Sequence, residues 1–208
     1  MHPFLVRLGV PLVVQDFFKP YLTTDAGANL LFDYQDSMEH YGMAYHRVPA
    51  SGHYWTAGDA LQSKSLIIAG SAMEAIAYCT LFHHQFALDN LLFLATGTRV
   101  NAGQFDWMRQ HLAGKSVTLV FENSPLGHIA DLKMAAGIKG IPVAVFSAPE
   151  NGLRIRFRMQ DYDFDADQFT LSRFEKACGF RFGLRTAKSK AAVTFFDQLK
   201  AGPFIPNL

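Results

Sequence analysis

From Ser65 onward, short uninterrupted apolar runs alternate with longer amphipathic stretches, and that alternation restricts the fold more than any other feature of the chain. Residues 66–69, 91–95, 117–121 and 142–146 read as strands. Residues 72–85, 102–113 and 126–136 read as helices, the last two closed by Gly114 and Gly137. Strands without a polar face need cover on both sides. The pattern therefore predicts a parallel sheet flanked by helices, an α/β fold of Rossmann-like type with right-handed crossovers. With 50% hydrophobic content in 208 residues, the chain can bury a full core in one such domain.

The two ends read differently. Residues 1–62 hold a short helical pattern over 10–21, limited by Lys19-Pro20, and β-like runs at 30–34, 42–48 and 53–56 separated by turn formers such as Pro49-Ala50-Ser51-Gly52. This predicts a small N-terminal α+β appendage ahead of a core spanning 63–150. Residues 151–208 predict a C-terminal β/α extension packed on that core. It opens with a strand over 153–159, in which Arg154, Arg156 and Arg158 alternate with Ile155 and Phe157, giving one basic and one apolar face. Ten of the nineteen Lys and Arg residues lie from Arg154 onward, although the net charge is only +1. Such a basic region suits a phosphate backbone or simply a solvated surface. Asp161, Asp163, Asp165 and Asp167 alternate with Tyr162, Phe164 and Ala166, but an EF-hand opened at Asp161 would need glycine where Ala166 stands and glutamate where Ser172 stands. An extended segment leading to a helix over 171–178, capped by Gly179, fits better.

Several function classes are disfavoured. Cys79 and Cys178 show neither CxxC nor Cys/His spacing, which argues against a disulfide framework or a zinc site and for a reducing, cytoplasmic setting. No apolar run approaches the roughly 20 residues of a spanning helix, so no membrane partner is expected. His83 and His84 are adjacent and cannot share one helix face as ligands at i, i+4 do, while His46 and His53 lack cysteine or carboxylate partners at ligand spacing. There is no phosphate-binding P-loop, no GxGxxG and no GxSxG elbow.

The segment Ser116-Val117-Thr118-Leu119-Val120-Phe121-Glu122-Asn123-Ser124-Pro125-Leu126-Gly127-His128-Ile129-Ala130 carries the chemistry. An apolar strand delivers Glu122, Asn123 and Ser124 to its carboxyl end, where α/β folds present ligands and divalent metals. Together with Leu66-Ile67-Ile68-Ala69-Gly70-Ser71-Ala72-Met73-Glu74-Ala75-Ile76 and Leu94-Ala95-Thr96-Gly97-Thr98, in that order, it resembles the Toprim domain, the metal-dependent fold shared by bacterial primases, topoisomerases and related nucleases. The resemblance covers about residues 65–147. Upstream, Tyr41-Gly42-Met43-Ala44-Tyr45-His46-Arg47 is loosely similar to the segment that precedes Toprim in primases.

What the resemblance implies is altered by what this chain lacks. The family's catalytic glutamate falls on Gly70, while the acid four positions later is kept as Glu74. Its Asp-x-Asp pair falls on Glu122 and Ser124, with the following glycine kept as Gly127. Glu122 alone would hold magnesium or manganese only weakly, and Gly70 cannot act as a general acid or base. The resemblance thus implies a catalytically degenerate Toprim-like protein with no tightly bound cofactor, binding DNA or RNA or acting beside replication or mobilisation proteins in a replication or mobile-element system. Arg47, Arg99, Lys115, His128, Arg154, Arg156 and Arg158 are the expected nucleic-acid contacts. A divergent metal-dependent nuclease or phosphoesterase using Glu122, helped by Glu74 or His128, is the enzymatic alternative. A protein-interaction scaffold is the third, suggested by 19 Phe with Trp55 and Trp107.

Overall fold

Serine and threonine stand immediately before four of the helices, and each accepts a hydrogen bond from a backbone N–H of the first turn: Ser71, Ser124, Thr170 and Thr194. The computed structural model describes residues 1–111 and 114–202. Its N-terminal part runs α1 (Pro3–Arg7), α2 (Leu12–Phe18), β1 (Thr23–Thr24), β2 (Leu30–Asp33), β3 (Met38–Tyr41), β4 (His46–Arg47) and β5 (Trp55–Ala57). Then follow β6 (Ser65–Ala69), α3 (Ala72–Phe82), β7 (Leu91–Ala95), α4 (Ala102–His111), β8 (Ser116–Val120) and α5 (Pro125–Lys139). The remainder is β9 (Val143–Ala148), β10 (Gly152–Phe157), β11 (Gln160–Asp165), α6 (Leu171–Cys178), β12 (Arg185–Thr186) and α7 (Phe195–Lys200). The protein is a mixed α/β structure. Among the described residues no helix is long and apolar enough to cross a membrane.

The central sheet has the order β12-β8-β6-β7-β5. The β12–β8, β8–β6 and β6–β7 pairs are parallel, and β5 is antiparallel to β7. Strand alternation divides its side chains between two cores. Leu66, Ile68, Leu92, Leu94, Val117 and Leu119 pack with Met108 of α4 and Met134 of α5. Ile67, Ala69, Phe93, Ala95 and Val120 face the other way, against α3, α7 and the N-terminal aromatics Phe18, Phe32 and Trp55. Both faces are covered, which is why these strands lack polar positions. Since the chain steps from β6 to β7 past α3, then back across β6 to β8 past α4 on the opposite face, one crossover hand serves both steps.

Several sequence expectations change here. The run at 53–56, expected within the appendage, becomes β5 at the edge of the central sheet, because Trp55 stacks on Phe18 and its indole N–H donates to the Tyr21 carbonyl. The run at 42–48 is strand only at residues 46–47, β4, which pairs with β3 just ahead of the run at residues 38–41 in a separate antiparallel sheet ordered β1-β2-β3-β4. Helix α5 continues past Gly137 to a left-handed cap at Gly140, and Gly137 lies against the Phe105 ring, where a side chain would not fit. The helix expected over 102–113 is α4, ending at His111; residues 112 and 113 lie outside the described residues.

The largest correction concerns the run at 142–146. It does not extend the parallel sheet. Residues 143–148 form β9, which pairs antiparallel with β10 in a sheet ordered β11-β10-β9. Leu153, Ile155 and Phe157 build a third core there with Leu132, Ala135 and Ala136 of α5 and with Phe169, Phe174 and Phe182. Helix α5 is thus packed on both sides, which holds its N-terminus firmly against β8.

Candidate ligand-binding cleft

Strands β6 and β8 are neighbours, yet the helices that follow them leave on opposite faces of the sheet. At such a reversal of strand order the carboxyl ends part into a crevice, the place where open α/β sheets bind ligands. A cleft of about 770 Å³ lies there. Gly70, Ser71 and Glu74 reach it from the β6–α3 turn, Thr96 to Arg99 from the end of β7, and Glu122 with Leu126, Ile129, Ala130 and Lys133 from the end of β8 and from α5. Its remaining wall comes from Thr194, Phe196, Asp197 and Lys200 around α7, with His46 and Val48 from the N-terminal part. Two glycines let the walls close in. Gly97 has φ near +79°, where the backbone meets the Pro49 carbonyl, and a β-carbon on Gly127 would collide with the Glu122 carbonyl.

The carboxylates at this cleft are already engaged. Glu74 accepts hydrogen bonds from the backbone N–H groups of Phe195 at 2.7 Å and Phe196 at 2.9 Å, capping α7. Burial pushes its pKa up to about 7 despite those two bonds. Glu122 Oε1 accepts from the Ser124 hydroxyl at 2.6 Å. Asp197 pairs with Lys200 at 2.7 Å, and the Lys200 ammonium beside it holds its carboxyl below the usual range. Gly70 offers no ligand atom. Among the described residues no group of three His, Cys, Asp or Glu side chains converges. This donor set does not fit a resident magnesium or manganese ion: one of its two strand-end or helix carboxylates is tied to α7 and the other to Ser124.

The sequence-derived contacts are scattered. Arg99 lines the cleft and is exposed. Arg47 is exposed on β4 next to His46, which is the residue of that pair that lines the cleft. Lys115 lies before β8, at the opposite end of the parallel strands, and donates to the Ser63 carbonyl. His128 lies in the first turns of α5, mostly buried, with Nδ1 3.6 Å from Asp131 Oδ2 one turn on. The basic strand is neutralised by its neighbour: Arg154 and Arg156 each make two hydrogen bonds to Asp163 and Asp161 across the β10–β11 register. Arg158 sits over the Phe157 and Phe180 rings, 4.4 Å from the latter.

Other residues at or behind the cleft escaped sequence reading. Lys133 shares a helix face with Leu126, Ile129 and Ala130, so the helical period of α5 would have found it once that face was known to be open. Lys200 and Phe196 depend on the docking of α7 and left no such signal. Glu39, fully buried, accepts at Oε2 from the Tyr34 hydroxyl and Ala72 N–H and at Oε1 from Met73 N–H, with His46 Nε2 2.8 Å from the same Oε1. A carboxylate from this chain therefore already fills the anion-binding end of α3. Lys188 donates to the carbonyls of Phe121 and Glu122, both at 3.1 Å, and lies 2.8 Å from buried Asp131. Neither Arg99 nor Lys133 makes an ion pair among the described residues.

The fold and cleft define a mixed α/β protein with a crevice at the strand-order reversal of its central sheet. Comparison with protein-family models, curated proteins and solved structures returned no match for this chain.

Proposed function

We propose that the protein is a catalytically degenerate Toprim-like module that binds nucleic acid in the cleft at the carboxyl ends of β6, β7 and β8 and does not cleave it. The observation that carries this reading is the pair of cations, Arg99 and Lys133, that make no ion pair among the described residues and line a crevice whose acids Glu74, Glu122 and Asp197 are each engaged with other groups. Phosphate recognition there needs no metal: the two side chains supply fixed positive charge, and the walls of Val100, Leu126 and Ile129 offer apolar surface to sugar and base. The Arg154 and Arg156 guanidiniums contribute little, because each already meets a carboxylate. A replication or mobilisation system is the setting that the Toprim resemblance suggests.

The test is fluorescence anisotropy of labelled single-stranded and duplex DNA and RNA over a salt series, with and without magnesium or manganese. Binding that is metal-independent and weakens with salt is expected. Changing Arg99 and Lys133 together to alanine should reduce the slope of log K against log salt by about 1.5, two phosphate contacts at 0.7–0.9 each. Changing Arg154 and Arg156 should leave that slope in place. An unchanged slope in the Arg99/Lys133 variant, or no binding at any salt, would overturn the proposal. Manganese-dependent cleavage lost in Glu122→Gln would instead favour a phosphoesterase.

A further inference from the structure

The two edges of the β11-β10-β9 sheet are unlike. β11 carries Asp161, Asp163 and Asp165, the kind of charge that keeps a free edge from pairing with another chain. Strand β9 reads Val143-Ala144-Val145-Phe146-Ser147-Ala148, with no charge, proline or glycine. All six of its residues are at least partly exposed, whereas Leu153, Ile155 and Phe157 of neighbouring β10 are buried. Among the described residues the backbone of β9 pairs only with β10, so its outer row of N–H and C=O groups has no partner.

The same edge carries a projection and a recess. Phe146 is 46% exposed on the outer face, in register with Arg154. Beside it lies a hollow of about 310 Å³ lined by Phe146, Ser147, Ala148, Pro149, Arg154 and Arg156. The guanidiniums bordering it are matched by Asp163 and Asp161, so this face brings no net charge against a copy of itself. A knob and a hole on one uncharged strand are what a twofold, isologous contact requires, since each copy must offer both.

We propose that β9 pairs antiparallel with β9 of a second copy of this chain, about a twofold axis at Phe146, joining two three-stranded sheets into one of six strands. In that register Phe146 stands opposite Phe146, Ala144 opposite Ala148, and Val145 opposite Ser147. The aromatic pair lies at the centre, and the small alanines flanking it let each ring reach the other copy's hollow. A contact of this length belongs to the weak, concentration-dependent class of interfaces. None of the residues lining the β9 hollow lines the cleft, and the proposal does not rest on the nucleic-acid reading.

Light scattering and sedimentation velocity over a protein concentration series test it. The mass should rise from one chain toward two, while Phe146→Lys, which places a charge at the twofold axis, should stay at one chain with an unchanged circular dichroism spectrum. A wild-type mass of one chain throughout, with β9 left to some other protein's strand, would overturn the proposal. So would a Phe146→Lys variant that dimerises like wild type. Should that variant not fold, Phe146→Cys in a Cys178→Ser background keeps the question open to decision. A short bifunctional maleimide is expected to link the two copies at that position, because opposed β-carbons in an antiparallel pair lie only about 4.5–5.5 Å apart; failure to link refutes the pairing.

Discussion

Glu39 illustrates how much one buried carboxylate can organise. Its two oxygens receive the Tyr34 hydroxyl, two N–H groups of α3 and the His46 ring, tying three separate segments together. The carboxylate sits at the N-terminal end of α3, where the first backbone N–H groups have no acceptor within the helix. Burial beside that carboxylate raises the Tyr34 pKa far above the ordinary phenol range. Removing it by Glu39→Ala leaves those donors buried without an acceptor, and chemical denaturation should register a loss of about 3–5 kcal/mol. Glu74 makes an opposite prediction. Its pKa rises from 4.5 to about 7 on folding, so the native state holds the proton more tightly than the unfolded chain. Stability from this group is therefore present below about pH 4.5 and is lost as pH rises through 7, by about 3 kcal/mol in all. Thermal melts of wild type and Glu74→Gln between pH 5 and 8, a range bracketing that about 7 value, should show the steeper decline in wild type; parallel curves would refute it.

Among the elements, the segment from β12 to α7 is the one whose role is hardest to anticipate. It adds a parallel strand beside β8, crosses the strand end with Asn123 N–H donating to the Val193 carbonyl at 2.7 Å, and then caps α7 on Glu74. Lys188 anchors this path. Its ammonium nitrogen lies within 3.1 Å of three oxygens, the Phe121 and Glu122 carbonyls and the Asp131 carboxylate. Burial lowers the Lys188 pKa, while Asp131 pulls it back up. Replacing Lys188 alone by methionine strands a buried carboxylate and should cost about 3–5 kcal/mol, whereas the double change with Asp131→Leu should restore most of it. Equal losses in the single and double variants, measured by urea denaturation, would show that the pair contributes through packing alone. Because α7 forms one wall of the cleft, the single variant should also weaken ligand binding there.

At the scale of the whole molecule, the local periodicities were legible and the pairings were not. Continuous apolar runs announced β6, β7 and β8 as strands covered on both faces, and the side chains divide between two cores as alternation demands. The Arg and Ile alternation of β10 likewise announced one buried and one exposed face. The run at 142–146 looked no different from those strands, yet it lies in another sheet, because Leu153, Ile155 and Phe157 offer it a separate core. The arginines beside it looked like a free basic stripe until the β10–β11 register set Asp161 and Asp163 against them. Of the expected cleft residues, Glu122, Glu74 and Arg99 could be found because they follow strand ends. Lys200 and His46 could not be gathered with them from positions so far apart in the chain, and Lys133 only once the open face of α5 was known. Sequence alone determined the strand-and-helix alternation and the helix caps, since period and capping act over a few residues. Only the tertiary structure decided which edge each strand joined, which charges met and which remained free to face a ligand, because those depend on contacts between segments that no local pattern encodes.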